Sequence, residues 1–203
     1  MANTNAPYGL QPLRTLSGQT SFANRWIIKG IDKDDTQNIG RGDMLKYLAT
    51  GYVAQWTAGT AVSQWAGVFW GCRYVSISQG KEIYSSIWPG SDASDDVDVD
   101  FVPAQGTEPM LFKIQTNSTG VVLADRFANF DITVGSINTT TGWSGSVLDV
   151  SSLNTTATLP LRLMNLWRDE MGGEIGPGTQ AGAYNWAVVM ANVAGAGATG
   201  LSS

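Results

Sequence analysis

The stretch VFWGCRYV at residues 68–75 decides the fold. Val68, Phe69, Trp70, Tyr74 and Val75 are β-branched or aromatic and suit a pleated, half-buried surface. Gly71 in the middle marks a bulge or a close backbone approach. Segments of the same character recur on either side, each bounded by turn residues. Upstream lie RWIIK at 25–29, with an acidic turn at 32–35, then 44–48, entered through GRGD, and 52–57 after Thr50-Gly51. Downstream lie 81–88, closed by Pro89-Gly90, then 97–102, stopped by Pro103, MLFKIQT at 110–116, 159–167 and 184–193. Strands at this spacing, with no long helical period between them, predict a mainly β chain. The expected architecture is an antiparallel β-sandwich or barrel with little helix. Residues 121–130 (VVLADRFANF) come nearest to a helix, and their periodicity is equivocal.

The 203 residues suffice for a sizeable core, and no internal repeat or shift in composition divides them. Residues 1–24 are polar and irregular, with Pro7, Gly9, Pro12 and Gly18, and read as an extended N-terminal arm. Residues 25–193 form a single β domain, and 194–203 a flexible Gly/Ala-rich tail.

Composition removes most enzyme classes. There is no histidine and only one cysteine, Cys72. Ser-His-Asp and Cys-His catalysis, histidine-held metals, internal disulfides and cysteine-held clusters are therefore all excluded. Twelve Lys+Arg against 17 Asp+Glu leave a net charge of −5, and the basic residues do not cluster, which argues against nucleic acid. Charged residues are only 14% of the chain, whereas 43% are apolar and eight are tryptophan. A surface this weakly charged suits a protein that spends its life against another protein. The N-terminus has no basic segment leading into an apolar one, so no secretory signal is expected. Residues 47–72 are uncharged, but Gly51, Gln55, Thr57, Gly59 and Gly67 interrupt them, so no membrane span is expected either.

Four segments could carry chemistry. SDASDDVDVDF at 91–101 holds Asp92, Asp95, Asp96, Asp98 and Asp100, enough carboxylates to suggest calcium. The spacing lacks the glycine and terminal Glu of a helix-loop-helix calcium loop. Alternation with Val97, Val99 and Phe101 describes a strand with its acidic face in solvent, which is the preferred reading, and no cofactor is expected. Such a strand does not set two carboxylates across a cleft as a glycosidase requires. GAGATG at 195–200 matches the dinucleotide fingerprint in its letters, but no helix-forming segment follows it. GSINTTTGWSGSVLD at 135–149 is dense in hydroxyls that can bond back to the chain, and reads as an ordered contact loop. No enzymatic activity is expected.

Five pieces in order carry a resemblance. They are MANTNAPYGLQPLR at 1–14, GVFWGCRYV at 67–75 with Trp88-Pro89-Gly90 after it, LFKIQ at 111–115, NTTTGWSGSVLD at 138–149 and LRLMNLWRD at 161–169. Together they resemble a family of tailed-bacteriophage virion structural proteins. Departures are Tyr8 for a Phe, Gln11 and Leu13 for Arg and Val, Trp143 for an Arg, and a missing Pro in the last piece. The resemblance implies a non-enzymatic capsid decoration (cement) protein, a homotrimer on the outer capsid surface of the virion, assembled in the host cytoplasm. Its partner would be the major capsid protein, whose neighbouring subunits it clamps against the pressure of the packaged genome. The arm is then expected to add to a neighbour as a strand or clamp. Tyr8, Leu10, Leu13, Arg14 and Trp143 are the expected partner-binding residues. A head-fibre or receptor- and carbohydrate-binding module, or a head–tail connector component, are the alternatives.

Overall fold

The computed structural model describes residues 3–18, 25–104, 109–170 and 182–192. The fold is mainly β, with two antiparallel sheets arranged as a sandwich and no closed barrel. In spatial order the first sheet runs β1 (Gln11–Thr15), β10 (Met110–Gln115), β14 (Trp186–Ala191), β13 (Leu161–Leu166), β11 (Asn129–Thr133), β12 (Val147–Asn154). The second runs β2 (Trp26–Ile31), β9 (Val97–Pro103), β6 (Trp65–Ser76), β4 (Met44–Tyr47), β5 (Val53–Gln55), with β7 (Lys81–Ser85) also on β6. A small ribbon pairs β3 (Ile39–Gly40) with β8 (Ile87–Trp88).

Strand β6, which contains the 68–75 stretch, organises the second sheet. It pairs with β4 through its first half, with β7 through its second, and with β9 along its other side. Trp65 and Val68 of β6, with Met44 and Val102, pack against Phe112, Phe130, Leu161 and Val189 of the first sheet. The opposite face presents Leu45, Phe69, Val99 and Phe101 to a second core that includes Ile39 and Trp88. Burial on both faces explains why this strand reads as a nearly continuous apolar run rather than an alternating one. Phe69 and Phe101 are fully buried, each worth about 2–3 kcal/mol relative to exposure. Strand β9 shows the expected alternation: Val97, Val99 and Phe101 enter the second core while Asp98 and Asp100 take the other face.

Several expectations need correction. The segment 81–88 is not one strand, because β7 and β8 belong to different sheets. Residues 121–130 do not form a helix. Only a 3₁₀ turn at Leu123–Asp125 forms, closed by the Val122 N–H donating to Asp125 Oδ2 at 2.7 Å, and β11 follows. Strands β11 and β12 were not expected.

The arm reading changes most. Residues 11–15 form an edge strand on β10, where Pro12 is tolerated because an edge strand has one side without ladder bonds. Leu10 is 0% exposed within the inter-sheet core. The Ala6 N–H donates to Gln115 Oε1 at 2.9 Å, and Gln115 Nε2 donates to the Thr4 carbonyl at 2.8 Å. The inner side of this segment is thus engaged in this chain's own sheet, and only the outer edge of β1 is without a ladder. Residues 19–24 and the tail 194–203 lie outside the described residues. Among the described residues, no helix is long and apolar enough to cross a membrane.

Candidate contact surface

The turn Gly40-Arg41-Gly42-Asp43 links three segments distant in the chain. Gly9 and Gly42 both adopt positive φ (65° and 94°). They touch so closely that a Cβ on Gly9 would stand 2.4 Å from the Gly42 carbonyl oxygen. Leu10 N–H donates to that oxygen at 2.8 Å. On the other side, the Arg41 N–H donates to the Gly142 carbonyl at 2.9 Å, and the Ser144 N–H to the Arg41 carbonyl at 2.8 Å. Asp43, 1% exposed, sits at the centre of this junction. Its Oδ1 accepts from the Ser144 and Ser146 hydroxyls, and its Oδ2 accepts from the Gly40 N–H and Gln55 Nε2, both at 2.9 Å. Burial pushes its carboxyl above the usual range, against the pull of these four donors.

This junction holds up a band of rings and cations. Tyr8 meets Trp143 edge-on at 5.8 Å between ring centres and stacks on Trp186 at 6.2 Å. Trp143 meets Trp70 edge-on at 6.3 Å. The Arg41 guanidinium lies 4.8 Å from the Trp70 ring centre and 5.4 Å from that of Trp143. At the other end, Lys113 Nζ sits 4.2 Å from Trp167 and 4.4 Å from Trp186, and burial lowers its pKa. Each ring–cation contact contributes about 0.5–1 kcal/mol at a partly exposed site and orients both groups. The result is a preformed amphipathic strip. Rings and cations held together in this way are the groups that anchor protein contacts.

Of the residues expected to meet a partner, Tyr8 and Trp143 come together in this strip. Tyr8 remains 39% exposed. Leu10 does not belong to it, since it lies in the core where no partner reaches it. Leu13 and Arg14 are half-buried on β1. Arg41, Trp70, Lys113, Trp167 and Trp186 were not anticipated, and the high tryptophan content was their only sign in the sequence.

The five aspartates do not converge. Asp92 accepts from the Ser76 hydroxyl at 2.6 Å and from the Ser78 N–H at 3.0 Å, which hold its pKa below the usual carboxylate range. Asp95 pairs with Lys29 at 2.9 Å, Asp96 accepts from the Tyr52 hydroxyl at 2.8 Å, Asp98 pairs with Arg73, and Asp100 pairs with Arg25 at 2.8 Å. Among the described residues, no three carboxylate or thiol groups are placed to share a metal ion. Each carboxylate is instead drawn to a different partner, as a strand with a solvated acidic face allows.

Cys72 lies buried in β6, its thiol donating to the Ile87 carbonyl at 3.4 Å, and burial pushes its pKa up to about 12. We expect iodoacetamide to leave it unmodified in the native protein and to label it fully after denaturation. Equal labelling rates in the two states, read by intact mass, would contradict this environment. Comparison with protein-family models, curated proteins and solved structures finds no match to this chain.

Proposed function

We propose that this chain is a capsid decoration (cement) protein of a tailed bacteriophage, a non-enzymatic structural protein of the virion. On this reading it sits as a homotrimer on the outer head surface and clamps neighbouring major capsid subunits. The observation that carries the reading is the strip from Trp167 to Trp70, in which five aromatic rings and two cations form one contacting series. Large rigid rings and arginine are the groups that anchor protein interfaces. The low overall charge and the β scaffold support the same reading, as does the resemblance of residues 1–169 to virion structural proteins.

The mechanism differs from that of a free arm. Tyr8 and Trp143 already stand in place, supported by the Asp43 junction, so docking costs little ordering entropy. Repetition over the symmetric shell multiplies modest individual contacts into tight retention. Trp143→Ala is expected to remove about 2 kcal/mol of binding per contact, about thirtyfold in Kd. Co-sedimentation of the purified variant with undecorated capsids checks this, and undiminished occupancy would overturn the assignment of the strip. Copy number in purified particles separates the alternatives: a shell decorator scales with the capsid lattice, a connector with a single ring per particle.

A further inference from the structure

A groove of about 770 Å³ opens between the second sheet and the loop that follows β11, and it shares no residue with the strip. Gln55, Tyr74 and Pro89 line it on one side, Ser136, Ile137 and Thr139 on the other. Both walls hang from the Asp43 junction. Gln55 Nε2 donates to Asp43 Oδ2 at 2.9 Å. On the loop side the Ser146 hydroxyl donates to Asp43 Oδ1 at 3.0 Å and accepts from the Gly135 N–H at 3.3 Å. Asn138 Oδ1 accepts from the Thr140 and Thr141 N–H groups at 3.0 and 3.1 Å. A Cβ on Gly135 would stand 2.1 Å from the Gly145 carbonyl oxygen. The loop is folded tightly back on itself, so both walls stand in place before a ligand arrives.

The polar groups of this lining lack counterparts. An ionised carboxylate only accepts, so the bond from Gln55 Nε2 to Asp43 fixes the amide and leaves Oε1 as a free acceptor. No donor among the described residues reaches that oxygen. Tyr74 is 7% exposed, and its hydroxyl has no hydrogen-bond partner among the described residues, yet it is not sealed from solvent. Burial raises its pKa, so it keeps its proton at neutral pH. The Asn38 amide and the Ser136 and Thr139 hydroxyls, also in the lining, are likewise unengaged among the described residues. No charged side chain lines the groove. An anion would find no cation there. A cation would find only Asp43, which is 1% exposed and has both oxygens taken by donors of this chain.

We propose that this groove binds a neutral saccharide, its ring hydroxyls bonded to Gln55 Oε1 and the Tyr74 hydroxyl and an apolar ring face against Pro89 and Ile137. A sugar ring carries several hydroxyls, each able to donate and to accept, on a frame with apolar C–H faces. That is the complement of a fixed carbonyl, an amide and three hydroxyls set among apolar side chains. An extended peptide is matched instead by an open strand edge, because its donors and acceptors run along a line. The proposal does not rest on the capsid reading.

Proton–nitrogen correlation NMR on the full chain tests it. The neutral probes are maltose, cellobiose, lactose and diacetylchitobiose, with a sulfated heparin disaccharide as the charged control and end-blocked trialanine as the peptide control. We expect at least one neutral disaccharide to bind and to shift the amides of Gly135 and Ser136. The charged disaccharide should bind at least about tenfold more weakly, since its anionic groups gain no partner in the groove. Tyr74→Phe keeps the ring that meets Trp88 edge-on and removes only the hydroxyl. It should weaken the sugar about fivefold, the worth of one neutral hydrogen bond, with no change in thermal midpoint. Thr139→Trp fills the groove from an exposed loop position and should abolish binding, again at constant midpoint. Absence of binding by all four neutral sugars, shifts confined to other amides, equal or tighter binding of either control, or indifference to either substitution would each overturn the proposal.

Discussion

Replacing Asp43 by alanine should destabilise the protein by about 3 kcal/mol, read as a lowered midpoint in chemical denaturation. Four donors now converge on that carboxylate: the Gly40 N–H, Gln55 Nε2 and the hydroxyls of Ser144 and Ser146. The two serines can bond to each other, since their oxygens already lie 2.8 Å apart. Gly40 and Gln55 have no such refuge and would face a cavity, each at a cost of about 1–3 kcal/mol. Removing the buried charge itself returns part of that loss. The damage should also spread to the surface, because Asp43 joins the turn that bears Arg41 to the segment that bears Trp143. Loss of Trp143 ordering, seen as a red-shifted and broadened tryptophan emission, should accompany the drop in stability. A midpoint within experimental error of wild type would show that the junction is not held by this carboxylate.

Asp43→Asn separates charge from shape. The amide preserves volume, can accept from Gly40 and Gln55, and can donate to the serine oxygens. The folded-state pKa of Asp43 is raised by burial above its unfolded value. A carboxyl raised in this way binds its proton more readily in the folded state, so its contribution to stability falls as pH rises from about 4 through the folded pKa. Wild type should therefore lose stability relative to Asp43→Asn over that window. Asp92 and Asp95 have the opposite sign, their pKa values being depressed, but they are common to both proteins and cancel in the difference. A difference that is flat with pH would contradict the raised pKa.

The strands legible in the sequence were those whose burial follows a simple local rule. β6 is apolar on both faces and β9 alternates, and both patterns survive in the fold. β1 was hidden because Pro12 and its short, mixed composition look like a loop; an edge position, which sequence does not reveal, is what makes Pro12 acceptable. β11 and β12 were hidden for a related reason. NFDIT and VLDVSSLN mix polar and apolar residues, and β12 lies at the sheet edge where its outer positions are solvated. The contact surface was half legible. Tyr8 and Trp143 could be marked as candidate contact aromatics, but their pairing depends on the Gly9–Gly42 contact and on Asp43 reaching Ser144, long-range events that leave no local signal. The aspartates show the converse: a dense local signal dispersed by partners on β2, β5's preceding turn and β6.

Deletion of residues 1–17 should leave a chain that no longer folds cooperatively, in contrast to the dispensable arm that the sequence suggests. Leu10 occupies the inter-sheet core at 0% exposure, and its loss alone should cost about 2–5 kcal/mol. The same deletion removes the β1 ladder on β10 and leaves the edge of β10 open. It also strips Gln115, 1% exposed, of the Ala6 N–H and the Thr4 carbonyl. These losses together approach the roughly 5–15 kcal/mol that holds an ordinary domain together. Circular dichroism and denaturant titration of the truncated chain check this, with Leu10→Ala as a milder companion expected to fold with a lower midpoint. A truncated protein with wild-type stability would show that the segment is an accessory. It would also restore the idea that this strand is free to leave its own sheet and pair with a neighbour. If the truncated chain does unfold, loss of capsid binding on truncation says nothing about contact, and the partner-binding role must be tested through Tyr8 and Trp143, whose side chains can be changed while β1 stays in place.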